Sequence, residues 1–184
     1  MKAVVKQVEF PAGRRILVIS DIHGNLPWFQ ALLAKAGFSR EDILVLVGDL
    51  VEKGRDSLAT LRYIMELSAT HTVYALCGNC DNLAVDFIYG NGELGRDFYR
   101  FYLSVWGERA LILQMAAEAG MEVRGPGDLP GLRMLLLERF RSELEFLRSL
   151  PTILESEHLV FVHLYRLRRC QIDCHYNHRF VCIH

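Results

Sequence analysis

Residues 16–25 read Ile16-Leu17-Val18-Ile19-Ser20-Asp21-Ile22-His23-Gly24-Asn25. The stretch Arg15–Ser20 is short, apolar and rich in β-branched residues, the form of a strand buried on both faces. It ends on a carboxylate and an imidazole two positions apart. Side chains alternate along a strand, so Asp21 and His23 can point the same way. The fold question is then whether other strands deliver polar groups to the same place.

The chain repeats the pattern twice. Leu26–Gly37 predicts a helix, with Pro27 in its first turn, Leu26, Phe29, Leu32, Leu33 and Ala36 on one face, and Gly37 as the stop. Asp42–Val47 predicts a second buried strand, Ser57–Ser68 a second helix, and Thr72–Cys77 a third strand. Each strand closes on a polar cluster: Ser20–Asn25, Gly48-Asp49, and Gly78-Asn79-Cys80-Asp81. A β-α-β-α-β order predicts an α/β fold with a mainly parallel sheet and right-handed crossovers. Ligand sites in such sheets lie beyond the carboxyl ends of the strands, so the three clusters converge. Carboxylate, imidazole and amide oxygen together suit Mn²⁺, Fe²⁺ or Zn²⁺.

Each cluster has an ordinary reading of its own. Asp21 could cap the next helix, although Asn25 is better placed to do so. His23 alone reads as a structural histidine, and Gly-Asp or Gly-Asn-x-Asp alone as turns. Three such clusters, each closing an apolar strand in order, are poorly explained by coincidence.

Residues 95–149 differ in character. Leu94–Ala119 is helix-like, Gly125–Gly131 (GPGDLPG) reads as a loop, and Leu132–Leu150 is amphipathic with many Arg and Glu. We read about 95–149 as a helical insertion or cap within a single domain spanning 1–163. Leu159–Val162 predicts a further strand, ending at His163.

With 51% hydrophobic and 23% charged residues, the 184-residue chain has the balance of a globular protein with a sizeable core. A net charge of −1 gives no electrostatic case for nucleic acid or an anionic membrane as partner. No apolar run reaches the roughly 18–20 residues of a transmembrane helix. The first fifteen residues lack an apolar signal core and are interrupted by Pro11-Ala12-Gly13, so the expected location is the cytoplasm. Five cysteines, an odd number in a chain without a signal, argue against a disulfide framework. Cys77 and Cys80 form a C-x-x-C with no matching second pair, a weak case for structural zinc or redox chemistry.

Taken together, D-x-H, G-D and G-N-x-D resemble the calcineurin-like metallophosphoesterase superfamily. The fuller forms DIHGN, GDLVEKG and GNCD resemble the branch of serine/threonine protein phosphatases and symmetrical dinucleoside tetraphosphatases. That branch usually reads GD-x-HG, GD-x-VDRG and GNHE, with a later strand ending in HGG or HAG. The match covers residues 15–90 and touches again at Phe161-Val162-His163.

The resemblance implies a four-layer αββα sandwich, here incomplete, and two divalent metal ions, Mn²⁺ first, with Fe or Zn as alternatives. It implies that Asp21 and His23 hold the first metal, that Asp49 bridges both, and that Asn79 and His163 hold the second. Such a pair activates a bridging water, as hydroxide, for in-line attack on phosphorus. The implied substrates are phosphate esters on protein, nucleotide or another small molecule. Glu52 and Lys53 stand at the family's Asp-Arg pair, which makes Lys53 a phosphate-facing cation without the bidentate fork of Arg. Asn79 would share in phosphate binding. The catalytic set implied is Asp49, Asn79, Cys80 and Asp81. Two departures stand out. Cys80 replaces the histidine that assists the leaving group and could equally be a small buried residue on the site floor. Asp81 replaces glutamate and keeps the charge.

After His163 the family pattern continues with a glycine-rich turn, more strands and G-H-x-H. Residues 164–184 instead hold four Arg, one Asp, three Cys, three His and no Gly or Pro. Three readings stand for this tail. It could be a small zinc site using Cys170, Cys174, His175, His178, Cys182 and His184, although the spacing matches no standard finger. It could be an ordinary terminal element. The reading favoured by the abrupt change is a truncated chain ending in an altered frame, with the metal site incomplete and turnover impaired. His175 or His178 could then stand in for one missing ligand.

Overall fold

The computed structural model describes residues 3–90, 102, 106–163 and, for backbone alone, 179–181. The three predicted strands are β2 (Ile16–Ile19), β3 (Ile43–Val47) and β4 (Thr72–Leu76), and they form one parallel sheet in that order. Between them run α1 (Leu26–Ala36) and α2 (Ser57–Thr70), close to the expected helices. Gly37 ends α1 in the left-handed conformation at φ 59°. Asn25 stands at the N-cap position but makes no side-chain capping bond, so the capping expectation for it fails. α3 (Asp81–Tyr89) leaves directly from the third polar cluster.

A second sheet lies across the first. It contains β1 (Val5–Gln7), β5 (Ile153–Glu155), β6 (Leu159–Val162) and β7 (Arg179–Val181), in that order. β6 is the strand expected before His163. β1 and β5 were not anticipated, because each has three residues and β1 is exposed along its whole length. Their pairing joins positions about 148 apart in sequence, so no local apolar pattern reports it.

Alternation along β3 divides the interior in two. Ile43, Val45 and Val47 face the second sheet and pack with Leu76, Leu154 and Phe161. Leu44 and Leu46 face the helices and join Phe29, Leu33, Leu61 and Ile64. All five β3 residues are fully buried, which explains why the strand reads as an unbroken apolar run. At roughly 1.5–3 kcal/mol for each buried side chain of this size, β3 is the spine of the molecule. Among the described residues the layers are helix, sheet and sheet; a second helical layer is not among them.

The segment after α3 holds α4 (Leu111–Glu118), α5 (Leu129–Arg139) and α6 (Arg141–Ser149), preceded by short 3₁₀ turns at Gly107–Arg109 and Pro126–Asp128. Leu111, Ile112, Met115, Leu132, Leu136 and Leu144 belong to the same core as Leu44 and Leu46. Arg62 of α2 fastens these helices by bonding Glu118 of α4 at 2.8 and 2.9 Å and Glu143 of α6 at 2.9 Å. Two expectations are corrected. The loop reading of 125–131 fails at its end, where Leu129-Pro130-Gly131 starts α5, Pro130 being acceptable in a first turn that has orphan N–H groups anyway. The amphipathic stretch 132–150 is two helices, broken at Phe140. Of the helix read over 94–119, residues 94–101 and 103–105 lie outside the described residues. So do the tail's Cys170, Cys174, His175, His178, Cys182 and His184.

Candidate metal centre

β2, β3 and β4 end at one edge of their sheet, and β6 ends beside them. Asp21, His23, Asp49, Asn79 and His163 therefore come together from separated parts of the chain, with Asp49 at the middle. Its Oδ2 lies 3.6 Å from His23 Nε2, and its Oδ1 lies 3.4 Å from His163 Nε2. His23 Nε2 is also 3.6 Å from Asp21 Oδ1, and His163 Nε2 is 3.2 Å from Asn79 Oδ1. One carboxylate thus serves two groups of potential ligands, one oxygen to each.

These separations fit cations. Ligands about 2.0–2.2 Å from a common ion stand roughly 3.0–3.6 Å apart at ordinary bond angles. The chemistry of His163 makes the same point independently. Its Nδ1 lies 2.8 Å from the Val47 carbonyl, an acceptor only, so Nδ1 carries the proton. In the neutral ring Nε2 then presents a lone pair toward two oxygen lone pairs, those of Asp49 and Asn79. Three converging electron-pair donors make a cradle for a cation, with the ring held by its backbone carbonyl. On the His23 side the cation in place is Lys53, whose Nζ is 2.9 Å from His23 Nε2 and 3.9 Å from Asp49 Oδ2. Burial, and then the Lys53 charge, lower the His23 pKa against the opposing pull of Asp49, the Val51 carbonyl and Asp21. The neutral form that a metal requires is favoured.

The backbone here is strained. Among the described residues, those other than glycine with positive φ are Asp21 (57°), His23 (49°), Asp49 (51°), Glu52 (72°) and Lys53 (64°). The first three belong to the strand-end clusters, and Glu52 and Lys53 to the turn that follows Gly48-Asp49. Such conformations cost of order 1–3 kcal/mol each and need surrounding support. Ser20 supplies part of it, donating to Asp21 Oδ2 and sitting 3.1 Å from the Val47 carbonyl. Backbone bonds from His23 N to Asp49 O (2.9 Å) and from Asp21 N to Gly48 O (3.1 Å) lace the first two clusters together. Gly48 adopts φ 72°, and a Cβ there would lie 2.9 Å from His163 Cγ. A Cβ on Gly78 would lie 2.2 Å from Asp49 N. Neither position tolerates a side chain without moving a ligand.

The remaining sequence-marked residues stand around this cradle. Asp81 is fully buried beneath it, at the start of α3. Its Oδ1 accepts N–H bonds from Leu50 and Val51, and its Oδ2 one from Gly78. Burial outweighs those bonds and raises its pKa to about 6. Cys80 is buried, its N–H donates to Asp49 Oδ1 at 2.9 Å, and its Sγ lies within 4.8 Å of ligand atoms of His23 and Asp49. Burial first, then the Asp49 charge, push its thiol well above the usual range, so it stays protonated.

Sequence reasoning placed Glu52 beside Lys53 but not in its actual role. Its carboxylate turns inward, accepting from Tyr102 Oη and, at 2.9 Å, from the Leu111 N–H. Gln114 of α4 adds a bond from Nε2 to the Gly54 carbonyl (3.2 Å) and accepts from the Leu58 N–H (3.0 Å). The helical segment therefore holds the strained Glu52-Lys53 turn from behind. Nothing local in the sequence signals these partners, which lie 50–60 positions away. No helix among the described residues is long and apolar enough to cross a membrane.

With this geometry in view, the comparisons with known proteins are specific. A family model described as calcineurin-like phosphoesterase matches residues 14–165. A symmetrical bis(5'-nucleosyl)-tetraphosphatase of Glaesserella parasuis is 45% identical over 65 residues, 35% of this chain and 23% of the relative. The serine/threonine-protein phosphatase 1 of Salmonella typhimurium is 33% identical over 84 residues, 45% of this chain and 37% of the relative. The matches thus span well under half the length of these curated relatives. A solved structure provisionally described as a diadenosine tetraphosphatase aligns with TM-score 0.54 at 22% identity, covering 94% of this chain and 59% of that one. That likeness concerns the fold.

Proposed function

The chain belongs to the calcineurin-like phosphoesterase family, and from that premise we propose that it hydrolyses phosphate esters at a centre of two divalent metal ions. The observation that carries this reading is Asp49, with one carboxylate oxygen toward His23 and the other toward His163. Asp21 and His23 would hold one ion, Asn79 and His163 the other, and Asp49 both. Mn²⁺ is the ion we assign first. When bound, the ions would activate water for attack on phosphorus and offset charge on the phosphoryl oxygens.

The chain's own groups divide the remaining work. Lys53 is exposed beside His23 and Asp49 Oδ2, suited to meeting a substrate phosphate, and the half-buried Asn79 would share in that from the His163 side. The Val47 carbonyl fixes the His163 tautomer. Cys80 fits the floor of the site better than acid catalysis, since a thiol with a raised pKa gives up its proton poorly. Asp81, with both oxygens engaged by backbone N–H groups, supports a bracing role for the Leu50–Val51 and Gly78 backbone rather than a chemical one. The substrate is a phosphoprotein, a nucleotide or a small phosphorylated molecule, and the named relatives favour the first two.

The test is Mn²⁺-dependent hydrolysis of p-nitrophenyl phosphate and bis-p-nitrophenyl phosphate, wild type against Asp49→Asn. The expected result is metal-dependent turnover by the wild type that the substitution removes. A folded wild-type protein that binds Mn²⁺ without turning over either substrate would sink the enzymatic reading in favour of a metal-binding homologue. Turnover of the diester alone would remove the protein-phosphatase option.

A further inference from the structure

Behind the Lys53 turn lies a cavity of about 530 Å³, lined by Arg55, Trp106, Glu108 and Arg109. Its walls, among the described residues, come from two parts of the chain. Arg55 stands two residues after Lys53, and the other three precede α4. The bonds from Leu111 to Glu52 and from Gln114 to Gly54 fasten one wall to the other. The cavity is therefore bounded by the chain that follows the Lys53 turn and by the segment whose helix braces that turn. Its volume falls within the range of small-molecule sites.

The lining has a recognisable chemistry. Arg55 and Arg109 are exposed, and neither has an ion-pair partner among the described residues. Two guanidiniums at one cavity present planar donor forks suited to phosphate oxygens. Trp106 is half-buried, its ring set edge-on to Tyr102 at 5.1 Å and 78°, which leaves it a positioned aromatic surface at the rim. Glu108 adds an acceptor-only carboxylate of the kind that takes hydrogen bonds from ribose hydroxyls. Phosphate, ribose and base each find a complementary group. A phosphate alone would leave the indole unused and meet repulsion from Glu108.

We propose that this cavity is a subsite for a nucleoside phosphate, with Arg55 and Arg109 on the phosphates, Glu108 on the ribose and Trp106 against the base. Its link to turnover rests on the phosphoesterase reading, where it makes nucleotides the substrate class. Binding itself needs no metal. Its occupant would extend from the Lys53 turn toward α4.

The molecule carries its own reporter. Trp28 and Trp106 are the chain's two tryptophans, and Trp28 is 77% exposed on α1, so Trp28→Phe leaves Trp106 as the single indole. In that background, with EDTA present, ADP is expected to change Trp106 fluorescence saturably. Arg55→Gln and Arg109→Gln, which keep an aliphatic stem, should each weaken the effect about tenfold, as should replacing ADP with adenosine or with tripolyphosphate. Thermal melting checks that each variant is folded. Asp49→Asn should retain the ADP response, so failure of the phosphoesterase reading leaves this result standing. The proposal is overturned if ADP gives no saturable change, if both arginine variants respond as the parent does, or if a phosphoserine peptide competes as well as ADP.

Discussion

In the strand-end loops, Asp21, His23, Asp49, Glu52 and Lys53 all take positive φ, while from 106 to 149 only glycines do, Gly107 and Gly120. The loops bring polar ligands together; the helical segment contributes Leu111, Leu132, Leu136 and Leu144, each fully buried. One region stores strain and the other supplies apolar burial. They meet where Leu111 and Gln114 bond the Glu52–Gly54 turn. The contrast shows how the chain sustains a costly ligand geometry: it is held by packing and hydrogen bonds from a segment that contributes no proposed metal ligand.

Substitutions can push on either side of that contrast. Asp49→Asn should leave the melting temperature nearly unchanged while cutting Mn²⁺-dependent turnover more than ~100-fold, beyond the usual cost of losing a group that only orients a ligand. Leu136→Ala should do the reverse. Denaturant unfolding should register about 2–5 kcal/mol of lost stability, with Mn²⁺ affinity retained in the folded fraction.

Glycine offers a paired test of opposite sign. Gly78→Ala drives a Cβ toward Asp49 N and Oδ1, at 2.2 and 2.4 Å, and should cost about 1–3 kcal/mol together with metal affinity. In α5 the same change at Gly131 meets nothing nearer than Met121 Cε at 3.8 Å. Gly131→Ala should stabilise by roughly 0.5–1 kcal/mol through helix propensity, the smaller effect of the pair. Equal losses in both variants would erase the proposed distinction.

The junction itself is readable by pH. Burial raises the Glu52 pKa from 4.5 to about 8, against the bonds from Tyr102 and Leu111. The folded state therefore holds this proton more tightly than the unfolded chain does. The stability it contributes is fully present below about pH 4.5 and is lost as pH rises toward and through 8, by at most ~1.4 kcal/mol per pH unit. Melting temperatures of Glu52→Gln against wild type over pH 5–8 should show a flatter dependence in the variant. Parallel curves would mean that Glu52 enters the fold already charged.

Much of the fold was open to inference from short windows. β2, β3 and β4 announce themselves because burial on both faces leaves an unbroken apolar run. α1 and α2 show helical spacing and, in α1, a glycine stop. β1 and β5 escaped because three-residue strands carry too little pattern. The start of α5 escaped because Pro and Gly mimic a loop when they occupy a first helical turn. The site divides in the same way. Asp21, His23, Asp49, Asn79 and His163 follow the ends of apolar runs, whereas the inward turn of Glu52 and the bracing bonds of Asp81 depend on distant backbone.

The sequence by itself determined which groups stand at the strand ends, because alternation and strand termination are local properties of a few residues. It also determined the family, through the spacing of D-x-H, G-D and G-N-x-D. Only the tertiary structure decided how those groups face one another: Asp49 between two histidines, the strained Glu52-Lys53 turn held by α4, and the Arg55–Trp106–Arg109 cavity behind it. Those relations depend on contacts between residues tens to more than a hundred positions apart, and on backbone angles maintained by the packing around them.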